Sequence, residues 1–296
     1  MNLMCPARIL LLPGDIQDAT IGERVAQVYA GPFEAAAGSR LADVLGVKLT
    51  VVPELTQRPD AELQAIADLH RGETVVVLGL DLGLKLPATV EHTGDGWSRV
   101  PTDNELTLAS YEQAATKFRD SIPKQPSPAL AHLMDLLAER AGAGARVLEL
   151  GSGTGAGALE LERRGLQVRR TDAAASFVDM MHADGQAADR LDALADELGG
   201  PYAAVYASAV FLHFDRAQLA GVLKKAVRAA PILAFTTREG TGEEWSNRVL
   251  DLPRHFVLWQ EEPLRALLAE TGWRVDHLTR ADGSRGTWFQ VLAVRG

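Results

Sequence analysis

Val147-Leu148-Glu149-Leu150-Gly151-Ser152-Gly153-Thr154-Gly155 decides how this 296-residue chain is read. The apolar run predicts a buried strand. The glycine-dense turn after it passes at once into Ala156-Gly157-Ala158-Leu159-Glu160-Leu161, the start of a helix. Glycine at every second position lets the backbone turn tightly and approach a ligand where a Cβ would collide. The amides heading the next helix face the same crevice and favour a negative group there. Glu149 stands just ahead of the turn as a fixed acceptor. The spacing is not that of a dinucleotide fingerprint, because Gly157 comes one place too early for the third glycine of G-x-G-x-x-G.

Downstream, helix and strand patterns alternate from Glu160, which predicts a doubly wound parallel α/β sheet. Leu166 to Thr171 is its second strand, and Asp172 stands at the carboxyl end, 21 residues beyond Gly151. An acid there can take ribose hydroxyls where strand order reverses, or cap the helix that starts at Ala173. The third strand falls within Ala187 to Leu191, the fourth is Pro201 to Ala207 and the fifth Ile232 to Thr236. Glu261 to Gly272 is the last helix, and Trp273 to Thr279 pairs with Thr287 to Val294 around Asp282-Gly283-Ser284. His213, just past the fourth strand, is a candidate general base with an ordinary pKa of about 6.5, or a cap for the helix at Asp215-Arg216. Beyond the fifth strand Arg238, Glu239, Trp245, Arg254, His255 and Trp259 gather at the expected ligand side. The two arginines suit a substrate carboxylate, the tryptophans offer flat apolar walls, and His255 is a second candidate base. No His/Cys metal spacing and no G-x-S-x-G is present.

The run E-L-G-S-G-T-G resembles the nucleotide-binding loop of the class I S-adenosylmethionine-dependent methyltransferases, a likeness that spans Leu106 to Gly296. The resemblance implies a Rossmann-like, doubly wound seven-stranded sheet and S-adenosyl-L-methionine as cofactor. It places Glu149, Gly151, Ser152, Gly153 and Gly155 around the cofactor, Asp172 with Ala173 at the ribose, and Asp192 with Ala193 at the adenine, Asp184 being the rival acid. It puts Ser208 to His213 over the sulfonium, and brings Tyr111, on a helix from Glu105 to Arg119, to the methionyl carboxylate. The next helix, Pro128 to Ala141, repeats Leu130, Leu133, Met134 and Leu137 at core spacing. The implied reaction is methyl transfer to oxygen or nitrogen of a small-molecule or peptide acceptor, carboxylates included, in secondary metabolism. A chain that binds the cofactor and serves as a scaffold is the alternative.

The first hundred residues form a separate α/β domain, joined to residues 105–296 by a linker from Pro101 to Asn104. Strands are expected at Ala7 to Leu12, Lys48 to Pro53 and Thr74 to Gly79, the last parallel and central. Helices are expected from Ile21 to Tyr29, from Pro32 to Leu45 ending at Gly46, and from an N-cap at Asp60 through His70. Thr89 to Val100, turning at Gly94-Asp95-Gly96, predicts an edge hairpin. Several of these pieces resemble a shortened, degenerate histidine phosphatase (phosphoglycerate mutase-like) domain. The likeness departs where that family carries its histidines: Pro13-Gly14-Asp15 and Gly79-Leu80-Asp81 stand there instead. The expectation is a catalytically empty domain that shapes the neighbouring site or joins two subunits as a homodimer.

A hydrophobic content of 47%, a charged content of 23% and a net charge of -9 describe a globular chain with a poor claim on nucleic acid. One cysteine, Cys5, allows no internal disulfide and fits a reducing cytoplasm. No apolar run approaches the roughly 20 residues that cross a bilayer, so no membrane partner is expected. Met1 to Leu12 has neither the basic head nor the cleavage site of a signal peptide.

Overall fold

The computed structural model describes residues 5–16, 21, 24–84, 86–93, 96–123, 125–283 and 286–296. The chain forms two compact units, Met1–Pro101 and Thr102–Gly296.

The first unit runs β1 (Ala7–Leu12), β2 (Val25–Ala30), α1 (Ala35–Leu45), β3 (Lys48–Val51), α2 (Pro59–Leu69), β4 (Thr74–Leu78), β5 (Ala88–Thr93) and β6 (Gly96–Val100). Strand order is β3-β2-β4-β1-β5-β6, parallel from β3 to β1 and antiparallel beyond. Alternation along β1 and β4 divides the core. Ile9, Leu11, Val75 and Val77 face Leu63 and Ile66 of α2, while Leu12, Val76 and Leu78 face Leu41 and Ala42 of α1. Gly46 closes α1 in the left-handed conformation, as expected. The helix expected from Ile21 to Tyr29 is instead strand β2 over its described second half. Val25, Val28 and Tyr29 repeat at a spacing that mimics a helical face, but pairing with β3 on one side and β4 on the other decides for strand. Asp60 sits within the first turn of α2 and does not cap it, because Pro59 already occupies the first helical position. Gly94 and Asp95 of the hairpin turn, and Ser284, lie outside the described residues.

The second unit opens with α3 (Asp103–Ser121) and α4 (Pro128–Ala141). It continues β7 (Arg146–Leu150), α5 (Ala156–Arg163), β8 (Gln167–Asp172), α6 (Ala175–Ala183), β9 (Ala188–Arg190), β10 (Ala204–Ser208), a 3-10 turn (Phe211–His213) and α7 (Arg216–Ala229). It ends β11 (Ile232–Arg238), β12 (Glu243–Ser246), β13 (Arg254–Val257), α8 (Glu261–Glu270), β14 (Trp273–Gly283) and β15 (Gly286–Arg295). Among the described residues β7 to β11, β14 and β15 build one seven-stranded sheet in the order β14-β15-β11-β10-β7-β8-β9, parallel except for β15, which runs antiparallel to both neighbours. This is the doubly wound sheet the sequence predicts. The chain winds out from β7 through β8 to β9, then crosses back to β10, so strand order reverses between β7 and β10. α3 starts earlier than expected, at Asp103. Thr102 accepts the Glu105 amide at 3.2 Å while the Glu105 carboxylate accepts the Thr102 amide at 2.8 Å. That T-x-x-E box is the sequence signal for the earlier start.

Candidate functional site

The crevice at the reversal point is the place an open parallel sheet offers to ligands. Here it opens into a cavity of about 520 Å³, walled by the loop after β7, the ends of β8, β9 and β10, the 3-10 turn, α3 and β13. That volume suits a small molecule of drug or cofactor size.

The loop is held from below. Ser152 exchanges hydrogen bonds with Thr171, its amide donating to the Thr171 carbonyl at 2.9 Å and its hydroxyl accepting the Thr171 amide at 3.1 Å. Asp172 braces it further, one carboxylate oxygen accepting the Gly153 amide at 2.8 Å and the other the Ala174 amide at 2.9 Å. Burial pushes Asp172 up to about 6, with those amides pulling the other way. Gly151 and Gly153 both adopt positive φ, and both border the cavity. A side chain at Gly151 would strike Val210, whereas one at Gly153 would meet no protein atom nearer than 3.8 Å and would project towards the cavity space.

Glu149 is buried, lines the cavity and has one carboxylate oxygen without a hydrogen-bond partner among the described residues. Burial raises it to about 7, against the pull of Ser152 and Arg170. Gly157, the residue that breaks the dinucleotide spacing, is explained by this carboxylate: a Cβ there would stand 2.3 Å from Glu149 Oε1.

Across the cavity α3 presents Thr107, Leu108, Tyr111 and Phe118, and α6 presents Phe177. Tyr111, Phe118 and Phe177 meet edge-on or tilted, with ring centroids 5.4 to 6.0 Å apart. The Glu112 carboxylate accepts the Ala175 and Ser176 amides at 2.6 and 2.9 Å, locking α3 onto the head of α6. Asp192, Ala193 and Ser208 also line the cavity, as does Ala173. Asp184, the rival to Asp192, does not, and lies within ion-pair distance of Arg119.

His213 lies at the far wall with a buried ring. Its Nδ1 is 2.7 Å from the His255 carbonyl and its Nε2 3.1 Å from the Tyr111 hydroxyl. Burial depresses it to about 4; the His255 carbonyl works against that, while the charges of Arg254 and His255 add to it. It does not cap α7, since Asp215 and Gln218 form their own reciprocal cap.

Strand alternation sorts the remaining expected residues. Arg254 and Phe256 point from β13 to the cavity, so His255 between them faces the other way, its Nε2 3.0 Å from Glu243 and 3.8 Å from Asp103. Trp245, 45% exposed, pairs with His255 across β12 and β13 on that same outer side. Glu239 is bound to Arg280 outside the cavity, and Trp259, 5% exposed, belongs to the apolar core. Gly155 does not border the cavity either; its position packs against the Gln186 side chain. Arg238 does line it but is already paired with Glu244. Arg254 is different. It is 2% exposed, donates to the Arg248 carbonyl at 2.6 Å and the Tyr111 hydroxyl at 3.2 Å, stacks over Tyr111 and Phe256, and has no carboxylate partner among the described residues.

Leu130, Leu133, Met134 and Leu137 of α4 form or pack against the core, as their spacing predicts, and Leu130 and Met134 in addition edge the cavity, which spacing does not announce. Ala209 and Val249, both lining, hold positive φ of 56° and 77°. Such strain is found where a site over-determines its backbone, and no periodicity announces it.

Residues 124–278, more than half of the chain, match the family described as the methyltransferase domain. Among curated proteins none matches the chain. The fold is shared with a magnesium protoporphyrin IX methyltransferase from Synechocystis PCC 6803 with bound SAM, at 14% identity over 67% of this chain and 99% of that one (TM-score 0.52). It is shared with a Burkholderia thailandensis 1,6-didemethyltoxoflavin-N1-methyltransferase bound to 1,6-didemethyltoxoflavin and S-adenosylhomocysteine, at 13% identity over 72% and 97% (TM-score 0.53). It also resembles the [4+2]-cyclase SpnF, at 16% identity over 66% and 97% (TM-score 0.51). At these identities the likeness is one of fold.

Proposed function

The chain belongs to the methyltransferase-domain family, and we propose that it transfers a methyl group from S-adenosyl-L-methionine to oxygen or nitrogen of a small-molecule acceptor. The observation that carries this reading is the cavity itself. It joins a glycine loop, a buried acid at the end of the second strand and an orphaned carboxylate oxygen at the point of strand reversal. These residues fit the cofactor. Asp172 keeps lone pairs for ribose hydroxyls, Asp192 borders the adjoining end of the cavity, and the free Glu149 oxygen needs a donor such as an ammonium group. When bound, the cofactor supplies a methyl group on sulfonium, already a good electrophile.

The residues of the chain do the rest by position. Phe118 and Phe177 exclude water, Ser152 and Asp172 hold the loop, and Arg254 and Phe256 leave an apolar chamber with one buried cation for the acceptor. Of the two arginines expected to clamp a carboxylate, Arg254 is the one whose charge is not already answered among the described residues. The likeness of the N-terminal unit to a degenerate histidine phosphatase rests on sequence pieces alone, and the family match begins beyond it.

No helix of the described residues is long and apolar enough to cross a membrane. The charge of Arg254 in the cavity wall, unanswered among the described residues, suits an acceptor that is a small organic acid. The test is to incubate the full chain with S-adenosylmethionine and a panel of small hydroxy and amino acids, and to measure S-adenosylhomocysteine by mass spectrometry. Acceptor-dependent product is the expected result. Tight cofactor binding with no product from any acceptor would favour the scaffold reading, which the cyclase sharing this fold keeps in view.

A further inference from the structure

Arg254, Tyr111, His213 and the His255 carbonyl form a chain of hydrogen bonds along the cavity wall, and the chemistry of each end fixes its direction. A guanidinium only donates, so Arg254 Nη1 gives its proton to the Tyr111 oxygen across 3.2 Å. A carbonyl only accepts, so His213 Nδ1 carries the ring proton and gives it to His255 O across 2.7 Å. His213 Nε2 is therefore the basic nitrogen, and Tyr111 donates its hydroxyl proton to it across 3.1 Å. Tyr111 and His213 both face the cavity, from α3 and the 3-10 turn respectively.

The same chain contains a buried positive charge that no acid among the described residues neutralises. Burying a charge without a partner is expensive. The guanidinium cannot shed its proton, and its Nε has no hydrogen-bond partner among the described residues. Its field also bears on His213, opposing a second positive charge there. The groups facing the His213 ring and its backbone are Tyr111 and Asn104 on α3 and Arg254 and His255 on β13. None of them is an acid, and the two acids beyond His255, Glu243 and Asp103, are spent on its outer ring nitrogen.

Resting on the transfer reading above, we propose that Tyr111 and His213 relay the proton leaving the acceptor, and that a carboxylate bound at Arg254 switches the relay on. The acceptor O–H or N–H gives its proton to the Tyr111 oxygen as the Tyr111 proton passes to His213 Nε2. The acceptor atom forms its bond to the methyl carbon while the carbon–sulfur bond breaks, the electron pair staying on sulfur. The bound carboxylate cancels Arg254, whose charge adds to burial in opposing the imidazolium so formed, and the ring later returns the proton to water. The acceptor class is then an organic acid bearing a separate hydroxyl or amine. Tyr111, which touches the acceptor, is a catalytic residue; Arg254 positions it.

The carboxylate has two possible sources, the acceptor or the methionyl end of the cofactor, and two probes separate them. Full-length protein labelled with nitrogen-15 at histidine is saturated with S-adenosylhomocysteine and titrated by NMR, with and without benzoate. In a parallel arm 5′-methylthioadenosine, which has no carboxylate, replaces S-adenosylhomocysteine. Expected are the Nδ1–H tautomer of His213, benzoate binding weakened tenfold or more in Arg254→Gln, and a His213 midpoint raised by about one pH unit or more with benzoate, the shift of one neighbouring charge. Tyr111→Phe should keep benzoate binding and lose acceptor turnover while S-adenosylhomocysteine affinity holds. If the midpoint is already raised by S-adenosylhomocysteine but not by 5′-methylthioadenosine, the switch stands and its carboxylate is the cofactor's. An Nε2–H tautomer, or a midpoint indifferent to both carboxylates, overturns the relay. Failure of S-adenosylhomocysteine to bind at all would instead overturn the cofactor reading, a separate result.

Discussion

Asp172 and Gly153 are joined by a 2.8 Å hydrogen bond from the Gly153 amide to the aspartate carboxylate. One side chain at the end of β8 thus sets the height of the loop after β7, and the same carboxylate faces the cavity. Shape and recognition are coupled at this residue.

Asp172→Ala is expected to weaken S-adenosylhomocysteine binding by roughly 1–3 kcal/mol, the scale of a buried hydrogen-bonded group losing its partner. The melting temperature should fall as well, because the Gly153 and Ala174 amides lose their acceptor. Asp172→Asn keeps one acceptor oxygen and should retain more stability than affinity. Calorimetric titration and thermal melts on both variants check this, and unchanged affinity in the alanine variant would remove Asp172 from the site.

Glu149 gives a pH dependence of definite sign. Its carboxyl is raised by burial from 4.5 to about 7, so between those values the folded state holds a proton that the unfolded state has lost. Its contribution to stability is present below about 4.5 and is lost as pH rises towards 7. Glu149→Gln, neutral throughout, should therefore gain stability relative to the wild type across that interval and level off above it. Melts across this range decide the matter, and parallel curves for the two proteins would mean that Glu149 is already ionised in the fold.

The glycines of the loop separate by function. Gly153→Val should abolish cofactor binding, since its side chain enters the cavity from a backbone at φ 55°. Gly155→Ala should leave affinity nearly intact and cost about 1–2 kcal/mol of stability, the strain of a Cβ in the left-handed region. Its Cβ would crowd only the end of the Gln186 side chain. Titration with S-adenosylhomocysteine alongside denaturant melts distinguishes the two, and a Gly153→Val protein that binds normally would mean the ligand does not approach the loop.

Neighbours on β13 should behave in opposite ways. His255→Gln leaves the backbone carbonyl that holds His213 and alters the face of β13 turned away from the cavity, so S-adenosylhomocysteine affinity should stay within about twofold even though this buried change should lower the melting temperature. Arg254→Gln alters the inner face and should weaken carboxylate ligands. Equal losses in both variants would contradict the alternation of this strand.

Much of this was legible in the sequence where one physical rule acts alone. The run from Val147 to Gly155, Asp172 at a strand end and the alternation downstream needed only hydrophobic period and glycine geometry. The errors lie where two rules compete. Val25 to Ala30 carries a helical spacing overruled by sheet pairing on both sides. Arg254, His255 and Phe256 stand together in sequence and are parted by the pleat, so His255 and Trp245 leave the cavity while Phe256 enters it. Gly155 matched a loop pattern, yet its neighbour is Gln186, a contact 31 positions away that spacing cannot show. Nor does spacing reveal that Arg238 has a carboxylate partner and Arg254 none among the described residues.

The most direct measurement is a crystal structure of the full chain soaked with S-adenosylhomocysteine. The expected density lies across the loop after β7, with the ribose hydroxyls on Asp172, the adenine beside Asp192 and Ala193, and a donor on the free Glu149 oxygen. A cavity that stays without the nucleoside at saturating ligand, or a nucleoside bound elsewhere on the chain, would contradict the assignment.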